Sequence, residues 1–165
     1  MAFNAFLQID GIEGECTDDK HKNWIEVLSY STGLSQTASG SAGTAGGAVS
    51  QRADFKDFTI VKTLDNASPL IALACADGTR ISSVILELCR TGGDKIKYME
   101  YRLSNCIVSS VRPGGDSRGA EMLPLEEVSF NYGKIEWLYT QQRRADGSGG
   151  GHVAAGWDLE KNRRV

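Results

Sequence analysis

A mainly β fold, an antiparallel barrel with one short α-helix, is what this sequence predicts. Three observations lead there. Apolar residues alternate at period two in run after run, only one stretch carries both a helix start and a helix stop signal, and glycine-rich turns separate the runs. At 165 residues the chain is the size of one domain, read here as a single unit over 1–165 with a flexible extended loop at about 37–51.

Taken in order, Phe3, Ala5, Leu7 and Ile9 alternate with polar or small neighbours and read as a first strand. The second, Trp24 to Gln36, changes phase: Ile25 and Val27 share one face, and Leu28, Tyr30 and Leu34 continue the apolar series on even numbers. A bulge near Val27-Leu28 reconciles the two and bends the strand around a barrel. Past it, the other face reads Ser29, Ser31, Gly33 and Ser35, small, polar and uncharged. Further strands are expected at Asp54–Thr63, Ile81–Arg90, Lys95–Leu103, Asn105–Val111, Leu125–Tyr132 and Lys134–Gln142, with a short last one near Val153–Trp157. Thr91-Gly92-Gly93-Asp94 reads as a hairpin turn, and Pro113-Gly114-Gly115-Asp116 and Ala145-Asp146-Gly147 as similar punctuation.

The helix is expected after Ser68, with Ser68 as its cap, Pro69 in the first helical position and Gly78 as the left-handed residue past its end. Leu70 to Ala76 is apolar nearly all round, which predicts a mostly buried helix. Thr37–Ala48 is composed wholly of Gly, Ser, Ala and Thr, can bury little, and reads as a mobile loop in an isolated subunit. The second glycine cluster, 147–151, reads as a flexible connector. These clusters hold much of a glycine total of 19, against roughly 12 in an average chain of this length.

Composition excludes more than it proposes. With 41% apolar and 24% charged residues the chain is an ordinary globular one, and the uncharged stretch 27–51 is too polar to span a membrane. A net charge of −3 gives no electrostatic reason to expect nucleic acid. The N-terminus has neither a basic region nor an apolar core of signal-peptide type, so synthesis and folding in a cytoplasm are expected.

Candidate chemistry is sparse. Cys16, Cys75, Cys89 and Cys106 lack two-residue spacing, with only His21 and His152 as co-ligands, so free thiols are expected in place of a zinc site. Gly115-Asp116-Ser117-Arg118-Gly119 matches the G-x-S-x-G hydrolase elbow, but Pro124 follows where the required helix would run, and a solvated hairpin tip is the better reading. Gly40–Gly47 lacks the lysine and helix of a phosphate cradle. Glu126 and Glu127, adjacent on a strand, point to opposite faces and cannot share a proton. Asp18-Asp19-Lys20-His21-Lys22 reads as a solvated turn, and the basic clusters 141–144 and 161–164 as surface or subunit contacts. No catalytic residue, metal site or cofactor is expected.

The chain also resembles a known family. Ala5-Phe6-Leu7-Gln8-Ile9-Asp10-Gly11-Ile12-Glu13-Gly14-Glu15 looks like the start of the Hcp (haemolysin-coregulated) tube proteins of type VI secretion. So do His21 followed by Ile25–Ser31, then Gly33 and Ser35-Gln36, and Leu64–Pro69 with Ala74-Cys75 and Gly78. Arg90–Gly93, Val108–Val111, Val128–Tyr132, Lys134-Ile135 and Gly156–Asp158 continue the likeness in order; Tyr30, Cys89 and Thr91 depart from the family's habit.

The resemblance implies a six-membered ring of barrels around a channel, the rings stacking head to tail into the inner tube of a contractile injection machine. The implied partners are further copies of the chain, a contractile sheath, a VgrG-type spike and small effector proteins carried in the channel, without nucleic acid or membrane insertion. The tube is expelled with firing, so cytoplasmic protein reaches the medium without a signal peptide. Ser29, Ser31 and Ser35 are the candidate channel-facing residues. Gln36, Thr37, Ser39, Ser41, Thr44, Val49 and Gln51 are the candidate stacking or subunit-interface residues of the loop. A phage-type tail tube protein and a small-molecule-binding barrel stay open as alternatives.

Overall fold

The computed structural model describes residues 2–39, 49–50, 52–92, 95–119, 123–142 and 149–165. Its elements, in chain order, are β1 (Phe3–Ile9), β2 (Ile25–Val27), β3 (Ser29–Ser31), β4 (Leu34–Ser35), β5 (Ala38–Ser39), β6 (Val49–Ser50), β7 (Asp54–Phe55) and β8 (Phe58–Thr63). They continue with α1 (Ser68–Asp77), β9 (Ile81–Arg90), β10 (Lys97–Gly114), β11 (Leu125–Gln142), β12 (Gly149–Asp158) and β13 (Arg163–Arg164).

The principal sheet runs β13-β12-β11-β10-β9-β1-β2, and β8 and β3 branch from β11, all antiparallel. It is not closed as one unbroken ladder. Residues 25–31 bridge the gap: β2 pairs with β1, Leu28 donates its backbone N–H to the Val61 carbonyl at 2.8 Å, and β3 pairs with β8. The break at Leu28 is the bend that the phase change between Val27 and Leu28 predicts, and it wraps the strands into a barrel-like wall around one core.

Alternation supplies that core. Ala5, Leu7 and Ile9 from β1, Phe58 and Ile60 from β8, Val84, Leu86 and Leu88 from β9, and Val128 and Phe130 from β11 meet inside, with Ile71 and Ala74 of α1. A second, smaller cluster lies on the other side of β1, where loop 13–24 folds over Phe6, Cys16 and Cys89.

The structure corrects four expectations. The pairs 95–103/105–111 and 125–132/134–142 are two unbroken strands of 18 residues each, β10 and β11. The turn-like Asn105 stays in the strand with φ of 53° and Gly133 lies opposite, so the ladder kinks without ending. The cap of α1 is not Ser68. The helix starts at Ala67 with no side-chain cap, and Asp65 instead accepts from the Ala67 N–H at 3.0 Å. Gly78 does close it, with φ of 67° and its N–H on the Ala74 carbonyl. Nor is α1 mostly buried: Leu70 and Leu73 are 47% and 58% exposed. Last, 149–151 of the second glycine cluster belong to β12, which is longer than the Val153–Trp157 strand expected. Ala145-Asp146-Gly147 lies outside the described residues.

Candidate functional site

Two regions gather polar side chains with a clear geometry. The first is an outward face of the wall. Tyr30 turns inward, its ring parallel to Phe58 at 6.1 Å and its hydroxyl 3.3 Å from that of Tyr101, which sends Ser29 and Ser31 outward, both exposed. Register then sets Ser31 beside Thr59, Thr59 beside Ser129, and Ser129 beside Ser110, a row of hydroxyls crossing four strands. Thr59 Oγ1 and Ser129 Oγ share a hydrogen bond of 2.8 Å. At one edge of this face Asp57 accepts from Ser109 Oγ at 2.7 Å and from Asn131 Nδ2 at 3.2 Å. The neighbouring row is Ser29, Val61, Glu127 and Arg112.

Sequence reading finds Ser29 and Ser31 but misses Thr59, Ser110, Ser129 and Asp57. Their signal is present: Thr59, Val61 and Thr63 alternate with buried Phe58, Ile60 and Lys62. What sequence cannot supply is the register that aligns them with β3.

Ser35 is not in this row. It pairs with Asp54 in the separate β4–β7 ladder, beyond Thr32-Gly33, at the foot of the extended loop. Gln36 and Thr37 follow, exposed, and Ser39 pairs with Val49 in the two-residue ladder β5–β6. Residues 38–39 and 49–50 thus run side by side, antiparallel, in a ladder separate from the principal sheet. Ser41, Thr44 and Gln51 lie outside the described residues. Arg52 reaches across to the carbonyl of Leu159, and Leu34, Phe55, Trp137 and Trp157 line an apolar cleft beside the β4–β7 ladder.

The second region overturns the reading of 18–22 as a solvated turn. His21 is buried, 3% exposed, with Nδ1 2.7 Å from Asp18 Oδ2 and Nε2 2.7 Å from Glu87 Oε2. Its ring stacks on Phe6 at 4.0 Å and meets the edge of Trp24 at 4.8 Å. Lys95 also pairs with Asp18; its hydrogen bond, and then that of His21, holds the Asp18 carboxyl down at about 2. Cys89, fully buried beside the cluster, has its thiol pushed up to about 11, by burial first and the Glu87 charge second. The partner Glu87 lies 66 residues away in sequence, which hides the cluster from any local pattern.

The readings of Gly115–Gly119 and of the acidic pair agree with the described residues, while Gly40–Gly47 lies outside them. Ser117 sits in an exposed turn whose Asp116 carboxylate accepts from the backbone N–H and side chain of Arg118. His152, hydrogen-bonded to Thr140, lies toward the opposite end of β11. Glu126 is buried against Lys62 while Glu127 is exposed, on opposite faces as their adjacency requires.

The sequence pattern of the family described as "Type VI secretion system effector, Hcp" matches residues 6–139, most of the chain, from within β1 to within β11. The chain belongs to the Hcp family. It is 31% identical to Protein hcp1 of Pseudomonas aeruginosa over 163 residues, 98% of each chain. Among solved structures, a type six secretion system protein superposes with a TM-score of 0.92 at 33% identity, covering 99% of this chain and 100% of the other. Hcp1 from Salmonella typhimurium superposes with a TM-score of 0.83 at 32% identity over the whole of both chains. This Hcp chain therefore shares the fold of these relatives across the described residues.

Proposed function

We propose that the chain is the tube subunit of a bacterial type VI secretion system. Six copies close into a ring, rings stack head to tail, and small effector proteins ride in the channel before the tube is expelled through a contractile sheath behind a VgrG-type spike. It is made in the cytoplasm, released with the expelled tube, and acts as a structural part with no catalysis of its own.

The observation that carries this reading is a division of the surface. The row Ser31, Thr59, Ser129 and Ser110 offers hydroxyls that exchange hydrogen bonds readily and trap nothing. Elsewhere a chain with a complete core still exposes Leu28, Leu34, Leu70, Leu73, Tyr139 and Val153, between 47% and 69% each. Apolar side chains in several places on one small barrel suit head-to-tail contacts, which close into rings or extend into fibres. The hydroxyl face suits a channel wall, with Ser29 and Ser31 as cargo contacts and Ser35 at its margin.

Light scattering after size exclusion tests the ring: a species near six times the chain mass is expected, and a monomer at every concentration overturns the reading. Ser31→Arg tests the channel wall. The ring is expected to persist while retention of a co-expressed cognate effector falls, and retention equal to wild type removes Ser31 from the wall.

A further inference from the structure

We infer that the side-chain cluster held between β1, β9 and loop 13–24 is a binding site for one zinc-like divalent cation, with His21, Glu87 and Cys89 as its ligands. The alternation of β9 turns Glu87 and Cys89 to the same side, toward β1's outer face, where Phe6 lies opposite Glu87 in register. Loop 13–24 lays His21 over that face, its ring fixed between Phe6 and Trp24. The imidazole nitrogen, a Glu87 oxygen and Cys89 Sγ all lie within 4.8 Å of one another. Bonds of about 2.0 Å to nitrogen or oxygen and about 2.3 Å to sulfur need such donors roughly 3.3–3.8 Å apart, so Nε2 and Glu87 Oε2, now 2.7 Å apart, part by about 0.6 Å while Cys89 Sγ, within 4.8 Å of them, moves in by about 1 Å at most.

The surroundings are those of a metal-bound histidine. Asp18 Oδ2 accepts from Nδ1, which fixes the ring and directs Nε2 at the site, as a carboxylate behind a ligating histidine does. Lys97 stands 3.5 Å from Glu87 Oε1, leaving Oε2 to face Nε2. Nitrogen, thiolate and carboxylate together select zinc over the hard cations magnesium and calcium. Two anionic ligands balance the dication, while Lys95 and Lys97 are matched by Asp18 and Glu100.

Protons balance as follows. Without the ion, each ring nitrogen faces a carboxylate oxygen at 2.7 Å. Binding displaces the thiol proton of Cys89 and any proton held between Nε2 and Glu87 Oε2, and what is displaced passes to solvent as the bonds to the cation form. Affinity therefore rises with pH. The site goes beyond the tube role and ties loop 13–24 to the wall in any assembly state.

Zinc content by mass spectrometry after equilibration with Zn²⁺, and the absorption of the Co²⁺-loaded chain, test it. One cation per chain is expected, with an intense thiolate-to-cobalt band. Cys89→Ser, nearly the same size and so able to fold, should lose the band and keep its ring assembly. Asp18→Asn should bind about 10- to 100-fold more weakly. A band that survives in Cys89→Ser comes from Cys16, Cys75 or Cys106 and overturns the assignment, as does a wild-type chain that takes up no metal.

Discussion

His21 ties its covering loop to the wall, and a carboxyl beside it makes the protein's stability depend on pH. Its two carboxylate partners lie on different segments, Asp18 on the covering loop and Glu87 on β9, so the imidazole fastens loop to wall. The Asp18 carboxyl is held at about 2, below its ordinary 3.8, by Lys95 and His21. A carboxyl lowered on folding contributes stability while ionised. That contribution is whole above the ordinary value and drains away as pH falls through the folded one. Urea midpoints measured between about pH 4 and pH 2 should thus fall for the wild type. Asp18→Asn should start lower at neutral pH and change less across that window; parallel curves would remove Asp18 from the acid response.

A second buried residue carries a larger energy. Lys62 is fully buried with its ammonium 2.9 Å from Asp65 and 3.1 Å from Glu126, and it also donates to Ser68 Oγ at 3.1 Å. Removing one partner of such a set leaves an uncompensated charge at a cost of about 3–5 kcal/mol. Lys62→Ala should lose that amount in urea unfolding, and the pair Lys62→Met with Glu126→Leu should recover most of it. The sequence shows Lys62 only as one polar residue in an alternating strand. Its partners come from the helix entry and from β11, and only the fold unites them.

At the scale of elements, alternation was readable and continuity was not. β1, β8, β9 and the bend at Leu28 follow directly from where apolar residues fall. The kink of β10 and β11 imitates two turns because Asn105 and Gly133 are turn residues by type. Their real task is to let the 159–160 turn come close. Leu159 donates to the Gly133 carbonyl at 2.8 Å, and a Cβ at 133 would stand 2.8 Å from Glu160 Oε1. The helix misled in the opposite sense: an apolar circumference implies burial, yet one copy of the chain buries only the Ile71 and Ala74 side. Loop 13–24 offers the sharper test. Gly14 donates to the Asn23 carbonyl at 2.8 Å, and a Cβ there would meet the Trp24 carbonyl oxygen at 2.4 Å and Ile25 Cγ1 at 2.7 Å. Backbone cannot yield as a flexible side chain does, so Gly14→Ala should cost about 1–3 kcal/mol. Chemical denaturation reads the loss, and an unchanged midpoint would mean the loop is not packed as described.

For the whole molecule the question is what the segment 37–51 does, since none of its described residues belongs to the core. Its foot is anchored by the β4–β7 ladder and by Arg52 on the Leu159 carbonyl, while β5 and β6 contribute two residues each to its stem. A segment made of Gly, Ser, Ala and Thr brings little apolar area to any contact and loses chain entropy when it docks, so its contacts should be weak singly and reversible. Repetition around a ring changes that arithmetic: six weak contacts made together between two stacked rings bind far more tightly than one. On this view the segment sets whether rings stack, and the rest of the surface sets whether they form. Deleting Thr37–Ala48 and joining Gln36 to Val49 should therefore leave thermal unfolding and the hexameric ring unchanged and abolish tubes in electron micrographs. Tubes of normal length would transfer the stacking role to the apolar side chains elsewhere, Leu70 and Leu73 of α1 first among them.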